Sequence, residues 1–214
     1  MRTAAQTAGT GRAVVPWWRN LISRVAGAPP AYTGTAILLI LAAFIRPQLL
    51  SLGLLPLILR QAAPLGLAVV GQSLVMRARS LDLSSGGVIV VVSYILTSGY
   101  FPVSNVVAML MCVTLGLLVG TINGALIVWA RASAVIVTLA MAMILLGIVI
   151  ALSQFRATGD APEFLSAFAT RRVLGIPIPV LLWFAVAIPA AILLRFTVFG
   201  RYLDAVGANP QAAA

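Results

Sequence analysis

The sequence predicts an all-α protein, a polytopic bundle of about six membrane-spanning helices with a cytoplasmic N-terminus. Three observations predict it. Hydrophobic residues make up 62% of the chain and charged ones 8%, with a mean hydropathy of +1.11, whereas a soluble domain is usually about half apolar. Apolar runs that approach or exceed about 17 residues, the minimum for crossing roughly 30 Å of hydrocarbon, recur along the chain. Arginines stand singly at the ends of those runs, where they read as membrane-flanking anchors.

The elements follow in order. Residues 1–30 carry Arg2, Arg12, Arg19 and Arg24 among Ala, Gly and Thr, and close on Pro29-Pro30. They read as a cytoplasmic tail rather than a cleaved signal peptide, because the charged region is long and no small-x-small site follows the first apolar run. Trp17 and Trp18 fit a membrane interface. Spans are expected near 31–46, 54–76, 84–101, 103–130, 134–153 and 177–196, so that 31–196 is a transmembrane domain and 197–214 a cytoplasmic segment. The arginines orient the bundle. An N-in topology puts Arg2, Arg12, Arg19, Arg24, Arg77, Arg79, Arg131, Arg195 and Arg201 inside, and only Arg46, Arg60, Arg156, Arg171 and Arg172 outside. The longest polar loop, Gln154 to Gly175, then lies outside.

Composition excludes most site chemistry. The chain has no lysine and no histidine, one cysteine and four acids: Asp82, Asp160, Glu163 and Asp204. Without lysine there is no Walker A loop, and without histidine no Ser-His-Asp triad and no imidazole metal site. Neither a metal nor a cofactor is expected. Cys112, inside an apolar run, reads as a packing residue. The net charge of +10 would suggest nucleic acid in a soluble chain, but scattered arginines at span ends point to lipid.

Two sets of residues stand out within the spans. Ala108, Cys112, Gly116, Gly120 and Gly124 recur every fourth position, a stripe of small residues that lets another helix approach closely. Asn123 lies beside it, where an amide in lipid demands a partner. The segment from Arg77 to Gly87 is the densest polar cluster between spans and contains Asp82, an ionisable group near membrane depth. Asp82, Ser84 and Ser85 also suit a cap on the third span, with Arg77 and Arg79 facing lipid headgroups.

Three blocks, in order and in register, resemble the permease subunits of ribose-type ABC importers. The first is Gly71-Gln72-Ser73-Leu74-Val75 with Leu81-Asp82-Leu83-Ser84-Ser85-Gly86. The second is Ile122-Asn123-Gly124 with Val135-Ile136-Val137-Thr138-Leu139. The third is Phe199-Gly200-Arg201 with Gly207-Ala208-Asn209-Pro210-Gln211-Ala212-Ala213.

The resemblance implies a noncatalytic subunit of the bacterial inner membrane that carries a monosaccharide or similar small polar solute. Its partners would be a second permease subunit, ATPase subunits that use the ATP, and an extracytoplasmic solute-binding protein. Gln72, Asp82, Ser84, Asn123 and Thr138 become candidates to line or support the solute path. Gly200, Arg201, Asp204, Gly207, Asn209 and Pro210 would form the coupling segment that touches the ATPase. Family members commonly continue with further spans, so a truncated form is expected. Arg79-Ser80 stands where the family pattern has Gly-Gly, which argues against a tight turn there. A proton-linked carrier titrating at Asp82, and a nontransporting membrane protein, are the alternative readings.

Overall fold

The computed structural model describes residues 29–51, 53–156 and 159–208. The expected tail, with Trp17 and Trp18, lies almost wholly outside the described residues. The chain divides after Leu55 into two units. In the first, helix α1 (Pro30–Ile45) opens on a proline, whose fixed φ and missing N–H suit a first helical turn. A 3-10 turn, Pro47–Leu50, follows it.

The second unit contains α2 (Leu55–Arg77) from its second residue on, α3 (Ser85–Thr97), α4 (Asn105–Val128), α5 (Ala134–Ser153), α6 (Glu163–Thr170), strands β1 (Arg172–Val173) and β2 (Ile176–Pro177), α7 (Ile178–Phe196) and α8 (Val198–Ala208). Helices thus occupy all six expected spans. Four of them, α2, α4, α5 and α7, are long and apolar enough to cross a membrane. The other two are shorter. With 16 and 13 residues, α1 and α3 reach about 24 and 20 Å at roughly 1.5 Å per residue. The third span begins as expected but its helix stops at Thr97, and the extended stretch that holds part of the site, 81–83, lies just before it.

The core of the second unit lies among α3, α4 and α5. Val91, Val119 and Leu145 form its centre, flanked by Val88 and Ile95, Leu115, and Met141 and Val149. Each set recurs at helical spacing, so each helix turns one stripe inward. Gly87 permits the closest approach, since a Cβ there would lie 3.0 Å from the Ala142 Cα and 3.2 Å from the Leu145 Cβ. The predicted small-residue stripe is used differently. Beyond the helix's own backbone, no described atom comes within 4 Å of a Cβ placed at Gly116, Gly120 or Gly124; of the stripe only Ala108 is buried, together with Val119 and Asn123. Glycine also makes room where α2 meets α7, because a side chain on Gly66 would overlap the Trp183 indole.

Two turns differ from expectation. At the end of α2, Arg79 takes a left-handed conformation with φ +55°. The Ser80 N–H donates to the Val75 carbonyl at 3.1 Å and the Arg79 N–H to the Met76 carbonyl at 3.0 Å. This pairing is a Schellman motif, whose left-handed position is usually glycine. The tight turn is therefore made despite the arginine, because the two carbonyls it satisfies would otherwise be left open. The loop expected from Gln154 to Gly175 contains α6 and β1 and ends at a hairpin turn into β2, in which Arg172 pairs with Pro177 and Val173 with Ile176. Leu174 and Gly175, with φ of +51° and +81°, supply the two positive angles that a tight hairpin turn requires.

Candidate functional site

After the α2 turn the chain runs extended through Leu81-Asp82-Leu83 into the bundle before α3 begins. This passage brings together four of the five predicted path residues. Ser84, Asn123 and Thr138, with 1%, 5% and 2% of their surfaces exposed, are the buried polar side chains among the described residues. Asn123 Nδ2 donates to Ser84 Oγ at 2.9 Å, and Ser84 Oγ donates to Asp82 Oδ1 at 2.6 Å. The Ser84 N–H donates to the same carboxylate oxygen at 2.8 Å. Thr138 Oγ1 lies 3.3 Å from the Leu81 carbonyl and 2.8 Å from that of Ala134.

Each bond answers a local need. The carboxylate of Asp82 satisfies the Ser84 N–H at the mouth of α3, where the helix dipole also favours negative charge. The cap is thus made by Asp82, while Ser84 makes no side-chain cap and relays between α4 and the carboxylate. Thr138 ties α5 to the extended passage. One acceptor is left over: Asn123 Oδ1 is buried and has no hydrogen-bond partner among the described residues. Such an orphan costs about 1–3 kcal/mol, so a donor belongs there. Gln72, in the last third of α2, makes no side-chain hydrogen bond among the described residues and does not join this network.

The same end of the second unit carries α8. Arg77, at the end of α2, donates from Nη1 to both carboxylate oxygens of Asp204 at 3.2 and 3.3 Å, and lies 3.5 Å from the Leu194 carbonyl of α7. A side chain on Gly207 would overlap the Arg77 carbonyl, and one on Gly200 the Leu194 carbonyl. Arg77 therefore faces an ion pair rather than a lipid headgroup. Gly200, Asp204 and Gly207, predicted to serve a partner, also seat α8 on α2 and α7. Arg201 and Tyr202 remain exposed. Asn209 and Pro210 lie outside the described residues. The Arg77–Asp204 pair and the packing of Gly66 and Gly87 were missed by sequence reasoning.

Residues 54–214 match the family described as the branched-chain amino acid transport system / permease component. The chain belongs to this permease family. It is 32% identical over 190 residues to the autoinducer 2 import system permease protein of Shigella flexneri, covering 86% of this chain and 54% of the relative. It is 29% identical over 189 residues to the ribose import permease protein of Haemophilus influenzae, covering 85% and 58%. Against the ribose import permease protein of Escherichia coli K12 the identity is 28% over 181 residues, covering 82% and 56%. The chain spans somewhat more than half the length of these permeases. No solved structure matches it. The family and the membrane-length helices make it a multi-pass protein of the inner membrane.

Proposed function

We propose that the chain is a noncatalytic permease subunit of an ATP-driven importer for a monosaccharide or similar small, uncharged polar solute. The observation that carries this reading is the seating of α8. An amphipathic helix is held against the ends of α2 and α7 and keeps a face with Phe199, Arg201 and Tyr202 open. A partner that binds this face can move two spanning helices together and so alternate access to the solute path. The partner is an ATPase subunit, since the chain has no lysine with which to build its own phosphate loop. A second permease subunit and an extracytoplasmic solute-binding protein complete the assembly.

Asp82, Ser84, Asn123 and Thr138 support the path where α3, α4 and α5 meet. Asn123 Oδ1, closed off in this conformation, is the unpartnered acceptor that a solute hydroxyl would meet once alternating access opens the path, because Ser84 and Thr138 are occupied within the chain. The import permeases named for ribose and autoinducer 2 favour a solute of this class. Uptake of labelled ribose and related sugars, measured in cells that express the chain with its ATPase and binding protein, tests the reading. Uptake should stop when the ATPase phosphate-loop lysine is replaced. Uptake that persists there and collapses with the proton gradient contradicts it.

A further inference from the structure

The opposite end of α3 and α5 from Asp82 carries a second feature. Where the two helices terminate, Tyr94, Ser98, Tyr100, Gln154 and Arg156 line a recess of about 390 Å³. From this recess we infer a binding site for one uncharged, polyhydroxylated solute of monosaccharide size. The inference rests on the transport reading above and adds a place where solute is held.

The walls are aromatic and polar together. Tyr94 is buried to 5% exposure, whereas Tyr100 stands open at 56%, with ring centroids 6.2 Å apart and planes at 40°. Tyr100 is fixed from two sides. Its N–H donates to Ser98 Oγ at 3.1 Å, and its ring meets Phe101 edge-on at 5.0 Å. The open ring of Tyr100 offers an apolar face to the C–H side of a sugar and a phenol at its edge, while buried Tyr94 backs it.

The other wall is set by the end of α5. Gln154 and Phe155 take consecutive left-handed conformations, with φ of +49° and +60°, a region that non-glycine residues occupy at a cost. Strain of this kind is retained where the surroundings demand it. Here it turns the chain sharply beside the recess and leaves Gln154 and Arg156 exposed, with no side-chain hydrogen bond among the described residues. An amide provides both donor and acceptor, the pairing that a hydroxyl needs. No carboxylate lines the recess, which disfavours a cation. A single exposed guanidinium, screened by salt, is a weak anchor for an anion. The volume falls within the range of roughly 300–1,000 Å³ common for small-molecule sites.

The test is equilibrium dialysis of the full chain in lipid nanodiscs against labelled pentoses and hexoses, with ribose 5-phosphate as the anionic arm. At least one uncharged sugar should bind saturably, and Gln154→Gly and Tyr100→Ala should each weaken it by about tenfold. Gln154→Gly suits the positive φ better than glutamine, so its loss of binding cannot be blamed on misfolding. Thr121→Ala, on α4 away from the recess, should leave binding unchanged. The inference is overturned if no sugar binds, if both variants bind within about twofold of the parent, or if the phosphate ester binds more tightly than its parent sugar. ATPase association, measured on the same preparations, separates the two ideas. Association without a sugar site sinks only this inference, and a sugar site without association sinks only the transport reading.

Discussion

The guanidinium of Arg77 and the carboxylate of Asp204, 127 positions apart, meet at 3.2 Å and form the sole salt bridge among the described residues. The same guanidinium lies near the Leu194 carbonyl. One cation thus gathers the ends of α2 and α7 and the middle of α8. Movement of α8 is thereby tied to two spanning helices, while Asp82 and Asn123 lie in a neighbouring network of α3, α4 and α5.

Both members of the pair are substantially exposed, at 39% and 58% of their side chains. Their coupling should therefore be modest, about 0.2–1 kcal/mol, and should shrink as salt is raised. A double-mutant cycle with Arg77→Gln and Asp204→Asn, followed by unfolding in detergent, measures it. A coupling well above this range would mean that the pair is shielded from water in the membrane.

Glycines that touch should differ sharply from glycines that do not. Gly200→Ala and Gly207→Ala force a methyl into the Leu194 and Arg77 carbonyls, and each should destabilise the seating of α8 by about 1–3 kcal/mol. Gly120→Ala meets open space and should change the stability of the isolated chain by less than about 0.5 kcal/mol. Thermal unfolding of the three variants side by side decides the matter; equal losses would refute this assignment of the contacts.

The buried relay gives a third expectation. Ser84→Ala leaves the Asn123 amide without its acceptor, and a cycle with Asn123→Leu should return an interaction of about 0.6–2 kcal/mol, the span found for interhelical hydrogen bonds in membranes. The double variant should recover part of the loss, because it also removes the orphaned Asn123 Oδ1. Strict additivity of the two single changes would show that the bond contributes nothing.

Arg79 can be tested in the opposite direction. Arg79→Gly removes the steric cost of φ +55° and should raise stability by about 1 kcal/mol. An unchanged or lowered Tm would mean that the guanidinium makes compensating contacts with lipid.

The helices were legible because apolar length is a local property, and each of the six runs from Ala31 to Phe196 carries its own signal. The grouping of Ser84, Asn123 and Thr138 could be anticipated as polar residues stranded in apolar surroundings, each needing a partner. Gln72 carried the same signal, yet it does not join them. The partner of Asp204 was hidden because nothing local links it to Arg77. Spacing likewise pointed to Gly116, Gly120 and Gly124, whereas Gly66 and Gly87 pack through neighbours, Trp183 and Ala142, that only the fold supplies. The turn at Arg79 was misjudged because the demands of the α2 carbonyls outweighed the residue's own preference.

The central claim is that α8 is the surface on which an ATPase subunit acts, and cross-linking tests it most directly. In a Cys112→Ser background, Tyr202→Cys on the open face of α8 and Leu117→Cys on exposed α4 are compared in membranes that contain the ATPase. The account predicts a cross-link from Tyr202→Cys that changes in yield when ATP is added, and none from Leu117→Cys. Equal yields from the two positions, or no cross-link from Tyr202→Cys while the ATPase copurifies, would contradict it.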